Sequence, residues 1–90
     1  MNQIKHRILI VDDNAANREL LEAHLLGLDC DLDFAEDGEQ TLTKVTEFSP
    51  DLILLDVMMP RLSGFEVCKK LKSNSETSNI MILMVTALNE

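Results

Sequence analysis

The stretch Ile-Leu-Ile-Val-Asp-Asp-Asn, residues 8–14, joins a continuous apolar run to a pair of carboxylates. The run is rich in β-branched residues and does not alternate with polar ones, which is typical of a strand buried on both faces of a parallel sheet. Similar apolar runs occur at residues 52–55 and 80–85, and they are followed directly by Asp56 and Thr86. The sequence therefore predicts three buried parallel strands whose carboxyl ends carry polar side chains.

Helical patterns separate these runs along the chain. Residues 30–34 alternate apolar and acidic side chains, which favours a strand at the edge of the sheet with one solvent-exposed face. Asn14 stands where a helix N-cap is expected, and Ser49-Pro50 is expected to end the second helix. The order strand, helix, strand, helix, strand, helix, strand predicts an α/β fold with right-handed crossovers. The expected core stripes of the helices are Leu20, Leu21, Leu25 and Leu28, then Leu42, Val45 and Phe48, then Phe65, Cys68 and Leu71.

Composition restricts the classes of function. The chain has 90 residues, is 46% hydrophobic and 27% charged, and carries a formal charge of −8. Residues 31–60 hold eight acidic and one basic side chain, so the charge argues against nucleic acid as a direct partner. No apolar run of about 20 residues is present, and residues 1–7 lack the apolar segment of a signal peptide. We therefore expect a cytoplasmic protein without a membrane span.

Three carboxylates and one hydroxyl are predicted to meet at one edge of the sheet. Asp12 and Asp13 follow the first strand, Asp56 follows the third and Thr86 follows the fourth. Ligands of open α/β sheets bind beyond the carboxyl ends of the strands. Carboxylates placed together repel one another unless a cation joins them, and oxygen donors suit Mg²⁺. The alternative is that each Asp serves only as a turn or cap residue at a strand end.

The motifs Ile-Leu-Ile-Val-Asp-Asp-Asn (8–14), Asp-Leu-Ile-Leu-Leu-Asp-Val-Met-Met-Pro (51–60), Gly64 and Val-Thr-Ala (85–87) resemble the signature of response-regulator receiver domains. The resemblance runs from about Arg7 to residue 87, and four elements occur in order at fitting separations. It implies a flavodoxin-like parallel sheet and a place in a two-component phosphorelay.

The resemblance also implies a role for each matching residue. Asp56 matches the phosphoacceptor, Asp13 the direct Mg²⁺ ligand, and Asp12 the carboxylate that helps through water. The backbone carbonyl of Met58 matches a further metal ligand, and Thr86 matches the switch hydroxyl that binds the new phosphoryl group. The implied partner is a histidine kinase or a histidine phosphotransfer protein. In the family it meets the exposed side of the first helix, which here carries Ala15, Arg18, Glu19 and Glu22.

One family element has no counterpart in these 90 residues. Receivers carry a Lys at the end of a fifth strand, and only residues 87–90 follow Thr86. We therefore expect residues 1–90 to form a single incomplete receiver domain with strand order 2-1-3-4, lacking the fifth strand and last helices. An apolar strand edge would then be unpaired beside an uncovered sheet face, so a homodimer or oligomer through Ile80–Val85 is expected.

Other classes of function fit the sequence less well. A haloacid-dehalogenase-type phosphatase needs a second acid two residues after its nucleophile, and Met58 holds that position. An alternative from a different functional class is a pseudoreceiver, which is not phosphorylated and acts only as a protein-interaction module. As an enzyme, the chain is expected at most to phosphorylate itself from phosphohistidine or small phosphodonors and to lose the group slowly. Turnover of external substrates is not expected.

Overall fold

The computed structural model describes residues 5–59 and 61–85, which form one parallel sheet and three helices. The strand order is β2-β1-β3-β4, and each neighbouring pair is parallel. This confirms the predicted flavodoxin-like α/β fold with order 2-1-3-4. The elements are β1 (His6–Val11), α1 (Ala15–Leu25), β2 (Cys30–Ala35), α2 (Gly38–Phe48), β3 (Leu52–Asp56), α3 (Gly64–Lys72) and β4 (Met81–Val85).

The two central strands bury side chains on both faces of the sheet. On one face, Leu9 and Ile53 lie in a core with α2 and α3. On the other face, Ile10 and Leu54 form a smaller core against α1. Alternate residues of a strand point to opposite faces, so a strand covered on both sides must be apolar throughout. The apolar runs of β1 and β3 therefore identified the central strands, and the alternating run of β2 correctly identified a sheet edge. The expectation that residues 80–85 form a strand buried on both faces was wrong, because β4 lies at the other edge of the described sheet and none of its residues is buried.

Helix α2 follows its predicted face, whereas α1 follows it only in part. Val45 is buried in the α2 and α3 core, with Leu42 and Phe48 packed partly buried against it. In α1 no residue is buried, and only Leu21 and Leu25 pack on the sheet. Leu20 and Leu28 are 46% and 58% exposed, so their assignment to the core was wrong.

Helix α3 is rotated relative to its predicted face. Val67 and Leu71 are buried, while Phe65 is 65% exposed, so the prediction that Phe65 faces inward was wrong. The first residue of the helix, Gly64, is buried against the backbone of Asp56, where a β-carbon would overlap the carbonyl oxygen. Successive residues of an α-helix are about 100° apart, so this contact turns Val67 inward and Phe65 outward.

The helix starts are fixed by side-chain caps. As predicted, Asn14 caps α1, and its Oδ1 accepts hydrogen bonds from the backbone N–H of Ala16 and Asn17. Ser63 caps α3 in a capping box with Glu66. Both caps lie on segments that leave the carboxyl end of a strand, and they set the path of the chain there. Within the described ranges, no helix has the length and apolar character needed to cross a bilayer.

Candidate metal and phosphoacceptor site

The structure brings Asp12, Asp13 and Asp56 together at the carboxyl edge of the sheet. Strands β1 and β3 are neighbours, and Val11 is in register with Leu55, so the residues that follow them lie side by side. One carboxylate oxygen from each of the three residues lies within 4.8 Å of the other two. The strand ends therefore place the predicted carboxylates in one cluster, which we call the acidic cluster.

Backbone N–H groups orient two of these carboxylates. The N–H of Asn14 donates to Asp12 Oδ1 at 2.9 Å, and the N–H of Met58 donates to Asp56 Oδ1 at 3.0 Å. In both cases the donor lies two residues after the acid, which is the geometry of an Asx-turn. Each turn uses one carboxylate oxygen to direct the chain away from the strand end.

The electrostatics of the acidic cluster are unfavourable without a cation. Asp12 and Asp56 are buried, at 3% and 7% exposed, whereas Asp13 is exposed. Burial raises the pKa of Asp12 above its ordinary value of 3.8, and the negative charges of Asp56 and Asp13 raise it further. The hydrogen bonds from Asn14 and Asn17 act in the opposite direction but do not cancel the rise. Ionised Asp12 is therefore less stable here than in water.

The donor set fits a hard divalent cation. The three carboxylates are close enough together to reach one ion, and carboxylate oxygen is the ligand type that Mg²⁺ takes in proteins. A divalent cation would offset the mutual repulsion that contributes to the raised pKa of Asp12. The residues present thus fit the Mg²⁺ that the sequence predicted.

The remaining predicted site residues are placed less completely. Met58 lies two residues beyond Asp56 and is 71% exposed, so its contact with the site is made by its backbone. Thr86 lies outside the described residues. The preceding residue, Val85, is in register with Asp56. The carbonyl of Val85 accepts a hydrogen bond of 3.2 Å from the N–H of Val57.

Sequence reasoning missed the role of Arg18. It was assigned to the exposed side of α1, but its side chain is only 18% exposed. Its Nη1 donates to the backbone carbonyl of Asp12 at 2.7 Å. Of the same predicted surface, Glu22 is half-buried, and Ala15 and Glu19 are exposed. No sequence pattern indicates this contact, since a polar residue on an amphipathic helix is ordinarily assigned to solvent.

Comparison with known families finds a match over most of the chain. The family model described as "Response regulator receiver domain" matches residues 8–90. Among curated relatives, response regulator PleD of Caulobacter vibrioides is 47% identical over 83 residues, covering 92% of this chain and 18% of that protein. DNA-binding response regulator MtrA of Mycobacterium tuberculosis is 42% identical over 87 residues, covering 97% of this chain and 37% of that protein. The chain thus spans less than two-fifths of the length of either relative.

Solved structures match the fold closely. A putative response regulator from Chloroflexus aurantiacus superimposes with a TM-score of 0.88 at 33% identity, covering 97% of this chain and 71% of that one. The N-terminal domain of a response regulator receiver protein from Methanoculleus marisnigri gives a TM-score of 0.87 at 32% identity, with 94% and 69% covered. Chemotaxis protein CheY4 of Vibrio cholerae gives 0.85 at 30% identity, with 97% and 72% covered.

Proposed function

Because this chain belongs to the response regulator receiver domain family, we propose that it accepts a phosphoryl group on the carboxylate of Asp56. The observation that carries the proposal is the acidic cluster at the carboxyl ends of β1 and β3. Phosphoryl transfer depends mainly on positioning the reactants and neutralising the charge of the phosphoryl oxygens. A carboxylate at the end of a central strand, beside two further acids, supplies the nucleophile and the cation ligands together.

The receiver-domain resemblance implies Asp56 as the acceptor, and the geometry of this carboxylate is compatible with that role. Its Oδ1 is held by the N–H of Met58, which fixes the carboxylate at the end of the rigid strand β3. The other oxygen, Oδ2, then forms the bond to phosphorus while the bond from phosphorus to the donor's histidine nitrogen breaks. The product is an acyl phosphate on Asp56, and the donor histidine recovers its electron pair.

The proposed cation is Mg²⁺, with Asp12, Asp13 and Asp56 as carboxylate ligands and the carbonyl of Met58 as a further one. When bound, the ion neutralises the negative charge of the phosphoryl oxygens and of the acidic cluster. We propose that the hydroxyl of Thr86 hydrogen-bonds the phosphoryl group after transfer. Supporting this, Val85, its predecessor, is in register with Asp56.

The proposed phosphodonor is a histidine kinase or a histidine phosphotransfer protein that docks beside the carboxyl edge of the sheet. The exposed residues Ala15 and Glu19 lie in the first half of α1, close in sequence to Asp13. A cytoplasmic location, consistent with such a donor, stays a prediction.

Labelling by a small phosphodonor tests the proposal against the pseudoreceiver alternative. Acetyl phosphate with Mg²⁺ is expected to add one phosphoryl group to the chain, observed by intact-mass measurement, and chelation of Mg²⁺ is expected to prevent it. A folded chain that stays unlabelled under these conditions is a pseudoreceiver that acts by protein interaction alone. A histidine-phosphorylated transfer protein should be the faster donor, because it also supplies docking energy.

Mg²⁺ is expected to raise the melting temperature of the wild-type chain and not that of Asp13→Asn. At a concentration about ten times the Kd, binding to the folded state contributes about 1.4 kcal/mol. For a domain of this size the shift should be roughly 5–10 °C, measured by circular dichroism. Without Mg²⁺, Asp13→Asn should melt above the wild type because one repelling charge is gone. Equal Mg²⁺ shifts in both proteins would show that the ion binds elsewhere.

We propose further that the 90-residue chain self-associates through β4. Among the described residues β4 pairs only with β3, and Met81 and Leu83 are 68% and 56% exposed on the α1 face of the sheet. These two side chains stand in register with Leu52 and Leu54, so the uncovered surface is contiguous. A second copy that pairs with the β4 edge would cover both the free backbone groups and this apolar face.

Light scattering is expected to give at least twice the monomer mass at micromolar concentration, because the interface is largely apolar. Leu83→Glu should shift the chain to monomer. The matched control is Leu26→Glu, since Leu26 is 73% exposed but lies at the end of α1. A well-ordered wild-type monomer, or equal behaviour of the two variants, would contradict association through β4.

A further inference from the structure

The side chain of Arg18 folds back from α1 onto the strand end that carries the acidic cluster. Long side chains in a helix point toward its N-terminus, and Arg18 reaches six residues back to the carbonyl of Asp12, with Nη1 at 2.7 Å. A charged donor at this distance makes a strong hydrogen bond. The other terminal nitrogen, Nη2, lies 4.0 Å from Glu36 Oε2, just beyond β2. One side chain therefore connects α1, the end of β1 and the segment that follows β2.

The hydrogen bond from Arg18 completes the fixation of Asp12. The N–H of Asp12 donates to the carbonyl of Ala35 at 3.1 Å, which extends the pairing of β1 with β2 by one residue. The carboxylate Oδ1 accepts from the N–H of Asn14, and the carbonyl accepts from Arg18. The backbone of Asp12 is thus held on both sides at the point where the chain turns from strand to helix.

We propose that Arg18 is a positioning residue for the acidic cluster, an inference that rests on the proposed Mg²⁺ site. Its hydrogen bond fixes the peptide unit between Asp12 and Asp13 rather than either carboxylate. That peptide sets the direction of both carboxylates toward Asp56. Without the guanidinium, the Asp12 carbonyl loses its partner and the two carboxylates are free to separate.

Charge and geometry predict opposite changes in Mg²⁺ affinity when Arg18 is removed. The guanidinium is positive, so an effect of charge alone would oppose a cation, and its removal would tighten Mg²⁺ binding. A positioning effect predicts weaker binding. Arg18 is close to Glu36, which offsets part of its field, whereas loss of residues that orient metal ligands costs about 10–100-fold in affinity. Positioning should therefore exceed the charge effect, and binding should weaken.

The test is the Mg²⁺ affinity of Arg18→Met, Arg18→Lys and a charge control, Lys70→Met. Lys70 is exposed in the last turn of α3, so its loss removes the same charge without a contact to β1. Because the chain has no Trp or Tyr, affinity is measured by titration calorimetry or by backbone amide NMR shifts. We expect the Kd of Arg18→Met to rise about 10-fold, Arg18→Lys to be intermediate, and Lys70→Met to match the wild type.

Each outcome decides the matter. If the wild type binds Mg²⁺ and Arg18→Met binds it equally or more tightly, the positioning role of Arg18 is overturned. The proposed function is not affected by that result. A lower melting temperature with unchanged Kd in the folded variants makes Arg18 merely structural and also overturns it. If Arg18→Met fails to fold, Arg18→Lys carries the test, because wild-type affinity in that variant is the overturning result. A wild-type chain that binds no Mg²⁺ overturns this inference together with the proposed function.

Discussion

Replacement of Gly64 by alanine is expected to destabilise the domain by about 3 kcal/mol, the upper end of the usual cost of overpacking. A β-carbon at this position would overlap the carbonyl oxygen of Asp56 and lie 2.9 Å from the Cα of Val57. Both are backbone atoms of the end of β3 and the residue after it, so no side-chain rotation can relieve the contact. Either α3 must move away from the sheet, or Asp56 must move with its strand end.

The other two glycines of the chain provide a graded control. A β-carbon at Gly27 would meet no atom within 4 Å, so Gly27→Ala should be close to neutral. At Gly38 it would lie 2.6 Å from Cδ2 and 2.8 Å from Cβ of Leu62, so rotation of that side chain relieves only part of the overlap. Urea unfolding followed by circular dichroism should therefore give the stability order Gly27→Ala, Gly38→Ala, Gly64→Ala, from highest to lowest. Equal midpoints for Gly64→Ala and Gly27→Ala would contradict the close packing of α3 on Asp56.

The sheet could be predicted from sequence because its signal is local. Residues 8–11, 52–55 and 81–85 are apolar without interruption, and such runs have few other stable placements in a short α/β chain. Parallel strands then bring their carboxyl ends to one edge, which accounts for the correct expectation that Asp12 and Asp56 meet. Neither step requires knowledge of how the helices pack.

The buried faces of the helices were predicted less accurately than the sheet, because a helix can be rotated about its axis in two ways that both fit the same sequence. In α3, a stripe of Phe65, Cys68 and Leu71 and a stripe of Val67, Cys68 and Leu71 both satisfy helical spacing. The choice is made by Gly64, whose lack of a side chain allows the helix to approach the Asp56 backbone. This contact joins residues on different elements and leaves no periodic pattern in the sequence.

Arg18 was misplaced for a related reason. A polar side chain on an amphipathic helix is assigned to solvent by pattern, and the pattern does not record the reach of a long side chain. The structure shows the guanidinium on the Asp12 carbonyl, where it satisfies a backbone acceptor. Side-chain to backbone contacts of this kind are visible only once the strand end and the helix start are placed together.

Replacement of Asp56 by asparagine is expected to abolish phosphoryl acceptance while keeping the fold. The amide oxygen of the substituted side chain could still accept the hydrogen bond that Met58 N–H now makes to Asp56 Oδ1. An amide carries no negative charge, so it is a poor nucleophile and a weaker cation ligand. Asp12 and Asp13 follow a different strand, β1, and are proposed as cation ligands, so neither should replace Asp56 as acceptor.

The central claim is tested most directly by intact-mass measurement after acetyl phosphate and Mg²⁺ on three proteins: the wild type, Asp56→Asn and Asp51→Asn. Asp51 lies just before the opposite end of the same strand, and its carboxylate accepts from the N–H of Arg7 at 2.9 Å, a bond that asparagine can keep. We expect one phosphoryl group on the wild type and on Asp51→Asn, and none on Asp56→Asn. Equal labelling of Asp56→Asn and the wild type would contradict the assignment of the phosphoacceptor.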